Sequence, residues 1–235
     1  MDREQLRQAY QDLSTPHVAD ACLRLGVEVR CAPTGTTAPW DGAAVVGRAR
    51  PVQHFGSADI FLEVINGAEP GDVLVVDNDG RADEACVGDL VALEASRAGL
   101  AGIVMWGLHR DTSELRAIQL PVFSLGALPA GPQRLDPRTP DAMESARIGD
   151  HVITADDFVL GDDDGVLFVP LDRAAEVAET AAAIRETERG QALRMLQGTS
   201  LRQQTDFDGF LAARANDPDL TFRRYLRAVG AEIEE

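Results

Sequence analysis

The chain of 235 residues contains no lysine: all twenty-two of its basic residues are arginine. A side-chain amine is therefore missing, which excludes a Schiff-base mechanism and the covalent anchoring of pyridoxal phosphate. Cysteine is scarce as well. Cys22, Cys31 and Cys86 are odd in number and scattered, so neither a disulfide framework nor a thiolate metal site is expected. No apolar run is long enough to span a bilayer, and Met1-Asp2-Arg3-Glu4 lacks the basic-then-apolar order of a signal peptide. A cytoplasmic location without a membrane partner is the expectation. The four histidines, His17, His54, His109 and His151, show no helical or paired metal spacing, which argues against zinc. A phosphate-binding glycine loop is also missing.

Acidic residues are abundant, and the formal charge is −17. Nucleic acid and anionic membranes reward clustered basic residues, so neither is an expected partner. An anionic small molecule would have to be met by local positive charge instead. The length suits one well-buried core, and the expected organisation is a single α/β domain over residues 1–198 with a helical tail over 199–235.

Gly71-Asp72 leads into the apolar run Val73-Leu74-Val75-Val76, closed by Asp77-Asn78-Asp79-Gly80, which predicts a buried strand ending in a turn. The stretch from Asp83 to Gly99 carries apolar Val87, Leu90, Val91 and Leu93 and holds a helix that starts at Gly88-Asp89 if the flanking strands are parallel, with Gly99 as its stop. Ile103-Val104-Met105-Trp106, between Gly102 and Gly107, predicts a second strand. If the strands are parallel, a helix of about ten residues descends roughly 15 Å and a strand of about five climbs back roughly 16 Å. Asp89 and the pair Arg110-Asp111, separated by twenty residues, then return to one edge of the sheet. Ligands of open α/β sheets bind at that edge. Asp89 is equally suited to cap a helix.

The pattern Asp89-x20-Arg110-Asp111 resembles the signature of the RraA-like family, which includes divalent-metal 4-hydroxy-4-methyl-2-oxoglutarate aldolases with oxaloacetate decarboxylase activity. Ser14-Thr15-Pro16-His17-Val18-Ala19-Asp20-Ala21 resembles the family's opening helix, Pro70 to Asp77 its central strand, and Gly161-Asp162-Asp163-Asp164-Gly165-Val166 with Pro170 its last hairpin. The resemblance implies a layered β/β/α fold similar to swivelling domains, with a C-terminal helical extension. It also implies a site in which Asp111 holds the metal directly and Asp89 holds it through water. Arg110 would contact the substrate, and the backbone at Gly88, Asp89, Leu90 and Val91 would receive a pyruvyl carboxylate. Glu188, with Glu186 as the alternative, would reach a neighbouring subunit's metal through water. A shell of carboxylate and water favours Mg²⁺ or Mn²⁺.

The implied chemistry is retro-aldol cleavage of a 4-hydroxy-2-oxo acid to pyruvate and a second carbonyl compound, with oxaloacetate decarboxylation through the same enolate. Arg110, Asp89 and Asp111 would be its catalytic residues. The implied assembly is a homo-oligomer, trimer or hexamer. A second class of function also follows from the resemblance, because RraA itself is a regulator that binds and inhibits a ribonuclease.

Departures from the family pattern sit beside the motif. His109 invites a role in proton transfer because histidine titrates near neutrality, whereas a partly solvated loop histidine is the simpler expectation. Trp106 reads as packing. A second substrate carboxylate would want another guanidinium, and Arg30, Arg48, Arg50, Arg81 and Arg116 are all available. Asp77 to Gly80 and Asp162 to Gly165 read as turns rather than calcium loops. Beyond Pro170 a long helix is expected, capped by Asp172 and stopped by Gly198. Phe207, Phe210, Leu211, Phe222, Tyr225, Leu226 and Val229 then form an apolar tail expected to pack on the domain or on a neighbour.

Overall fold

In the computed structural model of the chain, residues 1–229 are described; the end of the expected tail, residues 230–235, lies outside them. Helices α1 (Arg3–Tyr10) and α2 (Thr15–Leu25) open the chain, followed by strands β1 (Arg30–Cys31) and β2 (Val45–Gln53). Three crossovers come next. Helix α3 (Asp59–Asn66) leads to β3 (Val73–Asp77), while β4 (Ala85–Val87) and α4 (Asp89–Arg97) lead to β5 (Gly102–Trp106). Strand β6 (Leu108–His109) and α5 (Thr112–Ile118) lead to β7 (Val122–Phe123). Two antiparallel hairpins follow, β8 (Ser145–Ile148) with β9 (His151–Thr154) and β10 (Asp157–Asp162) with β11 (Gly165–Pro170). The chain then turns helical in α6 (Ala174–Leu196), α7 (Leu201–Gln204), α8 (Phe207–Asn216) and α9 (Phe222–Val229).

The main sheet has the order β1-β11-β10-β2-β3-β5-β7, parallel from β2 to β7 and antiparallel across the other half. Parallel strands covered on both faces read as continuous apolar runs, and Val73 to Val76 are all fully buried. Val52, Leu74, Val76, Ile103 and Met105 pack on α3, α4 and α5. Val46, on the same face of β2 as Val52, joins Phe158, Leu160, Leu167 and Val169 against α1, α2 and α6. On the opposite face, Val45, Ala49, Val73, Val75 and Val104 meet Ala146, Ile148 and Ile153 of the β8–β9 hairpin. Helices thus cover one face and a second β layer the other, as the layered α/β expectation requires. No helix among the described residues is long and apolar enough to cross a membrane.

Register fixes the working edge. Gln53 pairs with Asp77 and Asp77 with Trp106, so the carboxyl ends of β2, β3 and β5 line up. Both acidic stretches are turns, as expected: Asp79 N–H bonds the Asp77 side chain, and Asp164 N–H bonds that of Asp162. The expected cap of α6 is corrected. Residues 171–173 form a turn in which Arg173 N–H donates to Pro170 C=O, so the helix starts at Ala174 without a side-chain cap from Asp172.

Candidate functional site

Strand β4 explains how Asp89 meets Arg110-Asp111. Helix α4 starts at Asp89 with Gly88 as its N-cap, where the sequence places it, while Ala85, Cys86 and Val87 just before it are all buried and form a strand. That strand runs parallel to β6, with Val87 opposite His109, and Arg110 N–H donates to Val87 C=O at 3.0 Å. Both chains therefore leave this short ladder side by side, one as Gly88-Asp89 and the other as Arg110-Asp111. Helix α4 then buries Ala92 and Ala95, whereas Leu93 is partly exposed and Leu90 is 74% exposed. Gly99, at φ +81°, follows its end as expected.

Asp111 occupies the N-cap position of α5 with φ +58°, and its side chain makes no cap bond. An aspartate at that position ordinarily accepts from its own helix, a bond worth about 1 kcal/mol. Here the carboxylate turns toward α4: Oδ2 lies 3.3 Å from Asp89 N and 3.3 Å from Arg110 Nε. Gly88 makes room for it, since a methyl group there would stand 2.3 Å from Asp111 Oδ2. Gly88 is the N-cap of α4, and Asp89 is its first helical residue, with Oδ1 accepting from Leu90 N–H at 2.8 Å. Asp89 therefore does not cap the helix. Two of the amides expected to bind a carboxylate, those of Asp89 and Leu90, donate to the site's own acids. The Arg110 side chain is 47% exposed and that of Asp111 34%.

His109 is not a solvated loop residue. It lies buried in β6, with Nδ1 2.7 Å from Ser124 Oγ and Nε2 3.0 Å from Thr112 Oγ1. Burial, followed by the nearby Arg116 charge, pushes its pKa below the usual histidine value. Trp106 packs against Gly80 and beneath the Arg147 guanidinium, in keeping with a packing role.

Glu188 lies on α6 and bonds within its own chain: Oε2 is 3.1 Å from His17 Nε2, and His17 Nδ1 is 2.7 Å from Ser14 Oγ. Glu186 pairs with Arg185 and Arg189. Among the described residues, no group of three or more His, Cys, Asp or Glu gathers to hold a metal. Asp111, with Asp89 beside it, could supply the few carboxylate oxygens that a largely hydrated Mg²⁺ or Mn²⁺ requires. The arginines considered for a second carboxylate are engaged elsewhere. Arg30 holds Asp157, Arg50 holds Asp72, Arg81 holds Asp83, and Arg48 and Arg116 donate to the carbonyls of Ala155 and Pro39.

Gly131 also borders the site, although no sequence motif marks it. A methyl group on it would lie 2.8 Å from Arg110 Nη1. Its only sequence signal is a glycine between Ala130 and Pro132.

The RraA-like family model, described as Aldolase/RraA, matches residues 15–168. Protein DlpA of Legionella pneumophila is 34% identical over 170 residues, which is 69% of this chain but 27% of that protein. A Halalkalibacterium halodurans protein named "Putative 4-hydroxy-4-methyl-2-oxoglutarate aldolase" is 33% identical over 138 residues, 58% of this chain and 65% of that one. The chain thus spans about a quarter of the first relative and just under two thirds of the second. The crystal structure of Streptomyces coelicolor RraAS2, described as an unusual member of the RNase ES inhibitor RraA protein family, superposes with a TM-score of 0.70. It is 28% identical, over 83% of this chain and all of that one. Sequence and fold agree with the β4–β6 geometry in one conclusion: this chain is a member of the RraA-like family.

Proposed function

We propose that the chain is a divalent-metal lyase that cleaves a 4-hydroxy-2-oxo acid to pyruvate and a second carbonyl compound, and that decarboxylates oxaloacetate at the same site. One observation carries the reading: the Asp111 carboxylate forgoes its own helix and stands beside Arg110 at the start of α4. Asp111 directly, and Asp89 through water, would hold Mg²⁺ or Mn²⁺, which supplies Lewis-acid stabilisation of negative charge on the 2-keto oxygen.

The residues of the chain do the rest. Arg110 presents a planar fork suited to a carboxylate. Once the site's own acids are displaced, the amides of Asp89, Leu90 and Val91 receive the pyruvyl carboxylate, helped by the partial positive charge of the helix start. Asp89 orients a water that relays the proton of the 4-hydroxyl group, which ends on C3 of the enolate to give pyruvate. Breaking the C3–C4 bond leaves pyruvate enolate, whose charge Arg110 offsets. Loss of CO₂ from oxaloacetate yields the same enolate. Leu90, so exposed beside the site, supports an assembly in which a neighbouring subunit covers it and brings its own Glu188 close.

A second reading, a regulator that binds a ribonuclease, is favoured by the similarity over the whole of RraAS2. A panel of 4-hydroxy-2-oxo acids with Mg²⁺ and coupled pyruvate detection separates the two. Turnover of one member supports the lyase; no turnover of any, together with capture of a ribonuclease, supports the regulator.

A further inference from the structure

We propose that segment 130–136 is the wall that aims the Arg110 guanidinium, with Gly131 and Arg134 as positioning residues. The inference rests on the reading of Arg110 as the substrate's guanidinium. A methyl group on Gly131 would stand 2.8 Å from Arg110 Nη1 and 3.8 Å from its Cζ, so the guanidinium lies directly against the backbone of the segment. Any side chain at 131 would push it away.

The segment is fastened to the strand that builds the site. Ala85 N–H of β4 donates to Ala130 C=O at 2.8 Å. Arg134 then grips Glu84, the residue just before β4: Nε lies 3.0 and 3.1 Å from the two carboxylate oxygens, and Nη2 lies 2.9 Å from Oε1. The Glu84 side chain is only 4% exposed, so this fork is held where water competes little. Nη2 also donates to His54 C=O and to Asn78 Oδ1, both at 3.0 Å, and Asp136 N–H donates to Phe55 C=O at 2.9 Å. The wall is thus tied to the ends of β2 and β3 as well as to β4. Strand β4 in turn sets β6 and the start of Arg110. Backbone and guanidinium of Arg110 are therefore located by one continuous set of contacts, and a fixed guanidinium matters because small misplacements of a catalytic group are costly.

Gly131→Ala is the sharpest probe, because the atoms that its methyl group meets belong to the far end of the Arg110 side chain. The variant is expected to unfold at the wild-type temperature. With Mg²⁺ and a 4-hydroxy-2-oxo diacid, its KM is expected to rise about tenfold or more. Arg134→Met is expected to show the same defect with some loss of stability, and Arg134→Lys, which keeps the charge without the fork, to recover it in part. The Nε–H resonance of Arg110, assigned by its loss in Arg110→Lys, gives a readout that needs no turnover. It is expected to move in Gly131→Ala and in Arg134→Met. An unmoved resonance, or wild-type kcat and KM in Gly131→Ala, would overturn the proposal. A wild-type protein that releases no pyruvate would instead sink the lyase reading, and the resonance would still decide the position of Arg110.

Discussion

Asp111 holds a left-handed backbone that costs a non-glycine residue about 1–2 kcal/mol, and it gives up a cap bond as well. Under the proposed function, that cost is offset by what the carboxylate does at the site. Asp111→Gly separates the two effects, since glycine adopts this conformation without steric cost. The variant is expected to keep its stability within about 1 kcal/mol of wild type in thermal unfolding, or to exceed it. Its pyruvate release should fall at least about a hundredfold. A variant that unfolds early and retains turnover would show that Asp111 serves the fold. Arg110→Lys makes a complementary cut, because the ammonium keeps the charge and loses the paired donors. KM for a 4-hydroxy-2-oxo diacid is expected to rise about tenfold or more, and an unchanged KM would remove Arg110 from substrate binding.

At the scale of elements, the site depends on a ladder of very few residues. Gly88→Ala would press a methyl group against the Asp111 carboxylate, so pyruvate release should drop sharply while circular dichroism stays that of the wild type. Much of this region was legible in the sequence. The apolar runs before Asp77 and after Gly102 gave β3 and β5, and the spacing of Asp89 from Arg110 gave their common edge. Strand β4 was not legible, because three apolar residues carry no periodicity and its partner β6 lies twenty residues away. The exposure of Leu90 escaped for a related reason: tertiary packing chose Ala92 and Ala95 for the buried face. Gly131 and Arg134 act through contacts with residues distant in sequence, which no local pattern encodes. His109 likewise meets its partner Ser124 from a distant position in the sequence.

The ends of β2, β3 and β4 also meet in a buried polar group that includes His54, whose Nδ1 lies 2.8 Å from Asn78 Oδ1. Burial is the main cause that holds the His54 pKa below its ordinary value of 6.5, and Arg134 adds to it, against the opposing Asn78 bond. The folded chain then binds fewer protons at this site than the unfolded chain does, so stability is complete above 6.5 and is lost as pH falls below it. Urea unfolding at about pH 7.5 and about pH 5.5 should show this loss, and His54→Gln should reduce it. An equal loss in the variant would assign the pH dependence to other groups.

Across the whole molecule, a charge of −17 would oppose the proposed oxo-acid substrate, so on that reading attraction has to be local, at Arg110 and the start of α4. Beyond about 10 Å the rest of the charge is screened by salt. Leu90 beside the site and Leu193, Leu196 and Leu211 toward the tail are exposed, and the proposed assembly would cover some of them. Light scattering is expected to give at least three times the 25.2 kDa of one chain, and a monomeric mass would contradict a site shared between subunits. Metal-assisted cleavage at Asp111 is tested by pyruvate release from a 4-hydroxy-2-oxo diacid under three conditions: wild type with Mg²⁺, wild type with a chelator, and Asp111→Ala with Mg²⁺. Release only in the first is the predicted result; equal rates in all three would contradict it.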